Sequence, residues 1–118
     1  MTIEIPGVDV QKGLHLFEDD EEIYLKVLQS YASSTPETVE VLRNLSAETL
    51  PKYAIKIHGL KGTSANIGAM DMNQKAKEME VFAKAGDLDT LIAKNGAFVK
   101  EVEELLQNIN DWLKKNVT

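Results

Sequence analysis

The chain is organised around residues 54–69, Ala-Ile-Lys-Ile-His-Gly-Leu-Lys-Gly-Thr-Ser-Ala-Asn-Ile-Gly-Ala. Apolar residues recur along this stretch at spacings of three and four, a pattern that predicts a helix. The predicted helix nevertheless contains Gly59 and Gly62, and each glycine costs about 1 kcal/mol relative to alanine inside a helix. Because both glycines lie close to His58, they indicate a surface that requires bare backbone beside an imidazole.

Residues three and four apart are neighbours on a helix surface, so His58 neighbours Lys61 and Gly62. Ile57 and Leu60 are expected to face the interior of the protein. The adjacent stripe is small and apolar apart from its histidine, and it consists of Ile55, His58, Gly62 and Ala65, with Gly59 at its edge. A solvated helix face would normally carry Lys, Glu and Gln. The stripe is therefore expected to be a surface on which another protein docks.

This stretch resembles the histidine-phosphotransfer (HPt) domain of bacterial-type phosphorelays. The family signature is His-x-x-Lys-Gly followed by small residues and a Gly-Ala end, and here it is His58-x-x-Lys61-Gly62 with Gly68-Ala69. The resemblance extends from an Ile-Pro-Gly-Val-Asp start to Ala76-x-x-Met79-Glu80 and Gly86-Asp87. It covers nearly the whole chain, so residues 1–118 are expected to form a single HPt-like domain.

The resemblance implies a phosphocarrier. In the family, a receiver-domain aspartate or a kinase gives a phosphoryl group to the histidine, here His58, which passes the group to a response regulator. The outer ring nitrogen, Nε2, carries the phosphoryl group in the family. The implied partners are receiver domains of response regulators or of hybrid sensor histidine kinases.

Two neighbours of His58 suit this role. Phosphoryl transfer depends on in-line positioning and on neutralising the equatorial oxygens, and Lys61 is the cation placed to do so. Gly62 is expected to act sterically, because a side chain there would stand between His58 and the partner. An ordinary solvated lysine is the alternative interpretation of Lys61.

Glu80 is a candidate third member of the site. The family often has Glu or Gln at this position, on the neighbouring antiparallel helix. Its side chain would accept a hydrogen bond from the inner ring N–H of His58 and hold the ring in one tautomer, as carboxylates do for other histidines. The alternative is that Glu80 is a solvated surface charge. Lys77, one turn earlier, is a weaker candidate for the same electrostatics.

The composition disfavours several other functions. The chain has 118 residues, enough for one domain, and its net charge of −6 disfavours nucleic-acid binding, which needs clustered Lys and Arg. The absence of cysteine excludes disulfides, and two histidines without suitable spacing predict no metal site and no cofactor. There is no basic leader and no apolar run of about 18 residues, so neither secretion nor membrane insertion is expected. We expect a cytoplasmic monomer.

The hydrophobic periodicity predicts an all-α fold, an antiparallel four-helix bundle with a short additional N-terminal helix. Residues 1–8 are expected to form an extended lead-in that ends at the turn Pro6-Gly7. Asp9 is the predicted cap of the short helix, whose apolar face would consist of Val10, Leu14 and Phe17.

Capping residues and a proline predict the next two helix boundaries. Asp19 and Glu22 match the spacing of a capping box, so a helix is predicted to begin there and to run to about Ala32. Thr35 and Pro36 suit the N-cap and the first position of a further helix, because the missing N–H of proline costs nothing there.

After a loop at residues 44–49, the motif helix is predicted to end near Gly68. Asp71 is the predicted cap of the next helix, Gly86 its terminator and Asp87 the start of the last helix. The last helix has the heptad pattern that a bundle with shallow crossing angles requires, in Leu91, Asn95, Phe98, Val102, Leu105, Ile109 and Trp112. At Asn95-Gly96 we expect either a kink or a polar partner for the asparagine.

The main alternative to a carrier is a helical-bundle interaction module that binds its partner without phosphorylation, with His58 vestigial. Lys61 and Gly62 argue against this alternative, because a degenerate domain has no reason to keep both. A metal or cofactor bundle lacks ligands. The chain also has no Gly-rich phosphate loop, so it is expected to be a phosphocarrier without ATP-binding or autokinase activity rather than an enzyme.

Overall fold

Five helices make up the fold, and the computed structural model describes them within residues 3–117. Their bounds, in chain order, are α1 Val10–Leu16, α2 Glu21–Arg43, α3 Leu50–Ile67, α4 Met70–Lys84 and α5 Leu88–Asn116. No strand is present within residues 3–117, and the prediction of an all-α fold is confirmed. The first two residues of the predicted lead-in, and Thr118, lie outside the described residues.

Helices α2 to α5 form a closed four-helix bundle, in which α2 and α4 each pack on both α3 and α5. The short α1 lies against α3 and α2. Short connections make consecutive helices antiparallel. In the part of the chain that the structure describes, none of the helices combines the length and the apolar character that a bilayer span requires.

The long helix α5 supplies the predicted heptad of core residues, and all seven side chains are buried. Asn95 has a polar partner on each side, and α5 continues through it without a break. The Tyr53 hydroxyl donates to Asn95 Oδ1 at 2.7 Å, and Asn95 Nδ2 donates to the Leu42 carbonyl at 2.8 Å. This buried amide therefore connects α5 to α2 and to α3.

The predicted boundary at Thr35 and Pro36 is wrong, because α2 continues through both residues to Arg43. A proline inside a helix removes one backbone hydrogen bond and usually kinks or ends the helix. Here α2 buries Tyr31 before the proline and Val39 after it, on the face that packs against the bundle. Most helical stability comes from such packing. The buried face therefore outweighs the local cost of the proline.

Two predicted caps are displaced along the chain. The N-cap of α2 is Asp20, whose carboxylate accepts a backbone N–H at 3.2 Å, whereas Asp19 has a φ of 61° in the preceding turn. Helix α4 begins at Met70 with Ala69 at its N-cap, so Asp71 lies in the first turn. The Asp71 carboxylate is still near the positive end of the helix dipole in this position.

The turn between α3 and α4 is also the place where α1 docks. Helix α3 ends at Gly68, as predicted, and the φ of this glycine is left-handed at 87°. The Asp9 N–H donates to the Gly68 carbonyl at 2.8 Å. A Cβ at Gly68 would clash with the Asp9 carbonyl, and one at Gly13 would clash with Ile67. Asp9 caps α1, as predicted. The end of the motif helix is therefore fixed from both sides.

The second predicted glycine terminator is also present. Gly86 follows α4 with a φ of 70°, and Asp87 then caps α5 by accepting the Thr90 N–H at 3.2 Å. Left-handed glycine just after a helix satisfies its last carbonyls without strain. The link between α4 and α5 is therefore as short as the sequence predicts.

Candidate functional site

His58 lies near the middle of α3, and its side chain is 67% exposed. Ile57 and Leu60 on either side of it are buried in the core, as predicted. The helical period explains the difference, because residues one or two positions apart on a helix point in different directions. The core residues of α3 therefore anchor the helix, and the histidine stands on its outer edge, beside α4.

Two side chains of α3 converge on one carboxylate of α4. The His58 Nδ1 atom lies 2.6 Å from Glu80 Oε2, and the Lys61 ammonium donates to Glu80 Oε1 at 2.7 Å. Glu80 is only 4% exposed, so the alternative of a solvated surface charge does not describe it. The structure brings His58, Lys61 and Glu80 together in one hydrogen-bonded group.

The charge state of Glu80 follows from these partners. Hydrogen bonds from Lys61 and from His58 lower the pKa of the Glu80 carboxyl from 4.5 to about 2, although burial acts in the opposite direction. At neutral pH the carboxylate is therefore ionised and can only accept hydrogen bonds. The proton between the two side chains must then be on Nδ1, and a neutral His58 ring has its free lone pair on Nε2.

The short link between α3 and α4 sets the register of the site. Gly68 and Ala69 alone separate the last residue of α3 from the first residue of α4. The two helices consequently form an antiparallel hairpin, in which residues at similar distances from the turn lie opposite each other. His58 on the first helix and Glu80 on the second are such a pair.

A second lysine of α4, Lys84, also approaches the carboxylate, with its Nζ 3.8 Å from Glu80 Oε2. Lys84 was not among the predicted site residues, although a Glu followed by a Lys four residues later is a recognisable helical pair. Lys77, which was a candidate, is exposed and is not one of the cations paired with Glu80. The positive charge near the site thus comes from Lys61 and Lys84.

The face of α3 beside His58 is open. Among residues 3–117, a Cβ at Gly59 or Gly62 would meet no heavy atom within 4 Å, so packing in this part of the chain does not require either glycine. Ile55 is 71% exposed, and Ala65 is half-buried. A groove of about 260 Å³ between α2 and α3 borders this face, and its lining includes Ser34, Thr38, Ile55, Gly59 and Thr63.

Ser64 shows that the small residues of the motif have two different surroundings. Its hydroxyl is buried and shares a hydrogen bond of 3.0 Å with the Tyr31 hydroxyl in the core. Gly59 and Gly62, by contrast, lie on the outer side of α3, where the Cβ position of each is open. Within residues 3–117, no group of His, Cys, Asp or Glu side chains is arranged to hold a metal ion.

Comparisons with known proteins identify the family of the chain. Residues 26–112, which include His58 and Glu80, match the Hpt domain family. The chain is 30% identical over 100 residues to the phosphorelay intermediate protein rdeA of Dictyostelium discoideum, a match that covers 84% of this chain and 39% of that protein. The chain thus spans about two fifths of the length of this relative. No solved structure gives a significant match. Because the family match covers most of its length, this chain belongs to the Hpt domain family.

Proposed function

We propose that this chain is a phosphorelay carrier, in which His58 accepts a phosphoryl group from a receiver-domain aspartate or a kinase and passes it to a response regulator. The observation that carries the proposal is the pairing of the exposed His58 ring with the buried carboxylate of Glu80 at 2.6 Å. Membership of the Hpt domain family and the similarity to a phosphorelay intermediate protein support the same role.

The transfer step requires a nitrogen with a free lone pair. With the Nδ1 proton directed at Glu80, Nε2 of His58 attacks the phosphorus of the aspartyl phosphate. The N–P bond forms as the bond between phosphorus and the carboxyl oxygen breaks, and the aspartate leaves as a carboxylate. The ring then carries a positive charge, which the neighbouring Glu80 carboxylate stabilises. Onward transfer to a second receiver reverses these bond changes.

Lys61 is proposed to neutralise the phosphoryl oxygens. In the unphosphorylated protein its ammonium is paired with Glu80, and its side chain is 27% exposed. A flexible four-carbon stem lets the ammonium turn toward the phosphoryl group when a partner is bound. Lys84 then remains beside Glu80, so the buried carboxylate keeps a cationic neighbour.

The partner is proposed to dock on the open face of α3. Gly62 lies one helical turn after His58, and the absence of a side chain there lets a receiver bring its aspartate within reach of the ring. Ile55, Gly59 and Ala65 extend this face as an apolar contact surface. The groove that borders Gly59 offers the partner a concave edge on the same side.

Several wider properties are part of the same proposal. The partners are receiver domains of response regulators or hybrid sensor histidine kinases, and any Mg²⁺ belongs to the receiver. The chain acts as a carrier without ATP-binding or autokinase activity and takes no cofactor of its own. A single domain over residues 1–118, a monomeric state, a cytoplasmic location and the absence of nucleic-acid or membrane partners complete it.

A transfer assay tests the proposal. The protein is mixed with a receiver domain carrying radiolabelled phosphate and with Mg²⁺, and label on the protein is followed over time. The variant His58→Gln removes the proposed acceptor, and His15→Gln is the matched control, because His15 is the other histidine of the chain and is also exposed.

We expect acid-labile, base-stable label on the native protein and on His15→Gln, and none on His58→Gln. Label that persists on His58→Gln would show a different acceptor residue. An absence of label from every receiver tried, with the helical circular dichroism intact, would favour the interaction-module function instead.

A further inference from the structure

We infer that Asn73 is a positioning residue for phosphoryl transfer, an inference that rests on the proposed function of His58. Asn73 lies in α4 after its first turn, and its Nδ2 donates to the backbone carbonyl of Lys61 in α3 at 2.9 Å. The bond crosses between the two helices that carry the site. It contacts the backbone of the very residue whose side chain is paired with Glu80.

Lys61 is consequently held by α4 at two points. Its carbonyl accepts from Asn73 at 2.9 Å, and its ammonium donates to Glu80 at 2.7 Å. Helix α4 also packs extensively on α3 through its buried face. The Asn73 bond lies off the axis of α4, so it adds to this packing a directional contact that resists rotation of α4 relative to α3.

The two contacts are well separated along α4. Asn73 and Glu80 belong to one stripe of the helix, because they are two turns apart, which corresponds to about 10 Å along its axis. Asn73 lies between Glu80 and the turn at Gly68, so it fixes the near end of the stripe. The carboxylate at the far end then has a defined direction toward His58.

Even a small rotation of α4 would move the Glu80 carboxylate away from His58. A side-chain tip lies about 5–6 Å from a helix axis, so a roll of about 10° moves the carboxylate by about 1 Å. A displacement of about 1 Å at a reacting group can cost up to about a hundredfold in rate. The His58 Nδ1 and Glu80 Oε2 atoms are 2.6 Å apart, and such a shift would break their hydrogen bond.

The bond is not needed to satisfy the Lys61 carbonyl. That carbonyl lies inside the continuous helix α3, where the N–H four residues later is already its partner. Asn is also a weak helix former, because its amide competes for backbone groups. The amide of Asn73 thus adds a directional contact between helices at a position where a better helix former would fit.

The test compares three substitutions at full chain length. Asn73→Leu keeps the side-chain shape without a donor, Asn73→Asp does the same with a charge, and Asn73→Gln retains an amide. Asn110→Leu is the matched control, because Asn110 is exposed on α5. The rate of phosphorylation by phosphoramidate is measured, in which Nε2 of His58 attacks phosphorus, the P–N bond breaks and ammonia leaves. The ¹⁵N spectrum of the unphosphorylated His58 ring reports the site of its proton.

We expect Asn73→Leu to react about tenfold more slowly, because the ring loses its fixed orientation. Its ¹⁵N spectrum should change from a protonated Nδ1 to a mixture of tautomers. Asn73→Asp should show the same two changes, and it replaces the leucine variant in the test if that variant fails to fold. Asn73→Gln should recover part of the rate, and Asn110→Leu should match the native protein.

An unchanged rate and an unchanged ¹⁵N pattern in Asn73→Leu and Asn73→Asp would overturn the inference, even if both variants melted earlier. A native protein that phosphoramidate does not phosphorylate at His58 would instead count against the proposed function. In that case the ¹⁵N spectra still decide whether Asn73 orients the His58 ring.

Discussion

At the scale of single residues, Glu80 is the carboxylate with which the basic side chains of the site are paired. It is buried in α4, yet its two oxygens face His58 and Lys61 on α3 and Lys84 on its own helix. A buried carboxylate without such partners would be strongly destabilising. Lys61 and Lys84 stabilise the ionised Glu80, and the ionised carboxylate in turn sets the tautomer of His58.

The lowered pKa of Glu80 predicts a specific dependence of stability on pH. Glu80 is ionised in both folded and unfolded protein above about pH 4.5, and its pairing then stabilises the fold. As the pH falls from about 4.5 to about 2, the unfolded state takes up the proton first, so this contribution is lost. The expected loss is about 1–3 kcal/mol, since one pKa unit corresponds to about 1.4 kcal/mol and the partners are partly solvated.

Urea unfolding of the native protein and of Glu80→Gln measures this term. The difference in unfolding free energy between the two proteins should shrink as the pH falls from about 4.5 toward 2. Subtracting the two curves removes the contribution of the other carboxyl groups. Parallel curves over the whole range would mean that Glu80 has an ordinary pKa.

A substitution at Gly62 can separate an effect on folding from an effect on the docking of the partner. Because a Cβ there meets nothing within 4 Å, Gly62→Gln should fold and gain about 0.5–1 kcal/mol of stability from better helix propensity. Transfer from a phosphorylated receiver should fall at least about tenfold through steric exclusion, as expected for a misplaced partner. Phosphorylation by the small donor phosphoramidate should remain close to the native rate.

Gly96 on α5 provides the control for this substitution. It is also a helical glycine with open space around its Cβ position. Gly96→Gln should gain similar stability and should accept phosphate from the receiver at the native rate. If Gly62→Gln and Gly96→Gln accept phosphate equally well, Gly62 has no steric role in docking.

At the scale of helices, α2 retains a proline at a local cost. Pro36 is exposed, and it cannot donate to the Ala32 carbonyl one turn earlier. Pro36→Ala should therefore raise the free energy of unfolding by about 1–3 kcal/mol, since the restored hydrogen bond and the better propensity act together. Urea midpoints at constant slope measure the change.

Pro51 is the matched control for Pro36. It lies in the first turn of α3, where its missing N–H has no helical partner in any case. Pro51→Ala should change the free energy of unfolding little. Equal effects at the two prolines would mean that the position of Pro36 inside α2 adds no cost. A loss of stability in Pro36→Ala would show that this proline is favourable in a way that helix propensity does not describe.

Much of the helical architecture could be predicted from the sequence because its signals are local. The α5 heptad, the left-handed glycines Gly68 and Gly86, and the caps Asp9 and Asp87 each depend on residues within one or two turns. Pro36 misled the prediction, because the packing that carries α2 through the proline comes from distant residues. Asp19 was preferred to Asp20 because adjacent acidic residues offer the same capping chemistry.

The candidate site was also predicted only in part from the sequence. His58, Lys61 and Gly62 belong to one short motif, and Glu80 was a candidate through the family resemblance. Lys84 and Asn73 were missed, because their contacts depend on the register between α3 and α4. That register is set by the conformation of Gly68 and by the docking of α1, neither of which a residue pattern specifies in angles or distances.

At the scale of the whole molecule, Asn95 links three of the four bundle helices through two buried hydrogen bonds. Asn95→Leu has a similar shape but leaves the Tyr53 hydroxyl and the Leu42 carbonyl with one partner fewer. We expect a loss of about 2–3 kcal/mol in the free energy of unfolding, because buried polar groups are costly without partners. Phosphoryl transfer well below the melting temperature should be unaffected.

Asn110→Leu is the control for this prediction too, because Asn110 is exposed on the same helix and should tolerate leucine with little change. A native-like stability in Asn95→Leu would show that leucine packing compensates for both lost bonds. A loss of transfer without a loss of stability would mean that Asn95 influences the site directly.

The distance between the single tryptophan and the candidate site has a consequence for fluorescence measurements. Trp112 is the single tryptophan of the chain, and it is 9% exposed near the end of α5. Because Lys75 pairs with Glu101, Glu80 lies level with about Gly96, and residues 96–112 span about 24 Å of helix. The indole fluorescence should therefore shift to the red when the bundle unfolds and should stay constant when a receiver binds at His58. We therefore expect Trp112 to report folding and not the proposed binding of a receiver.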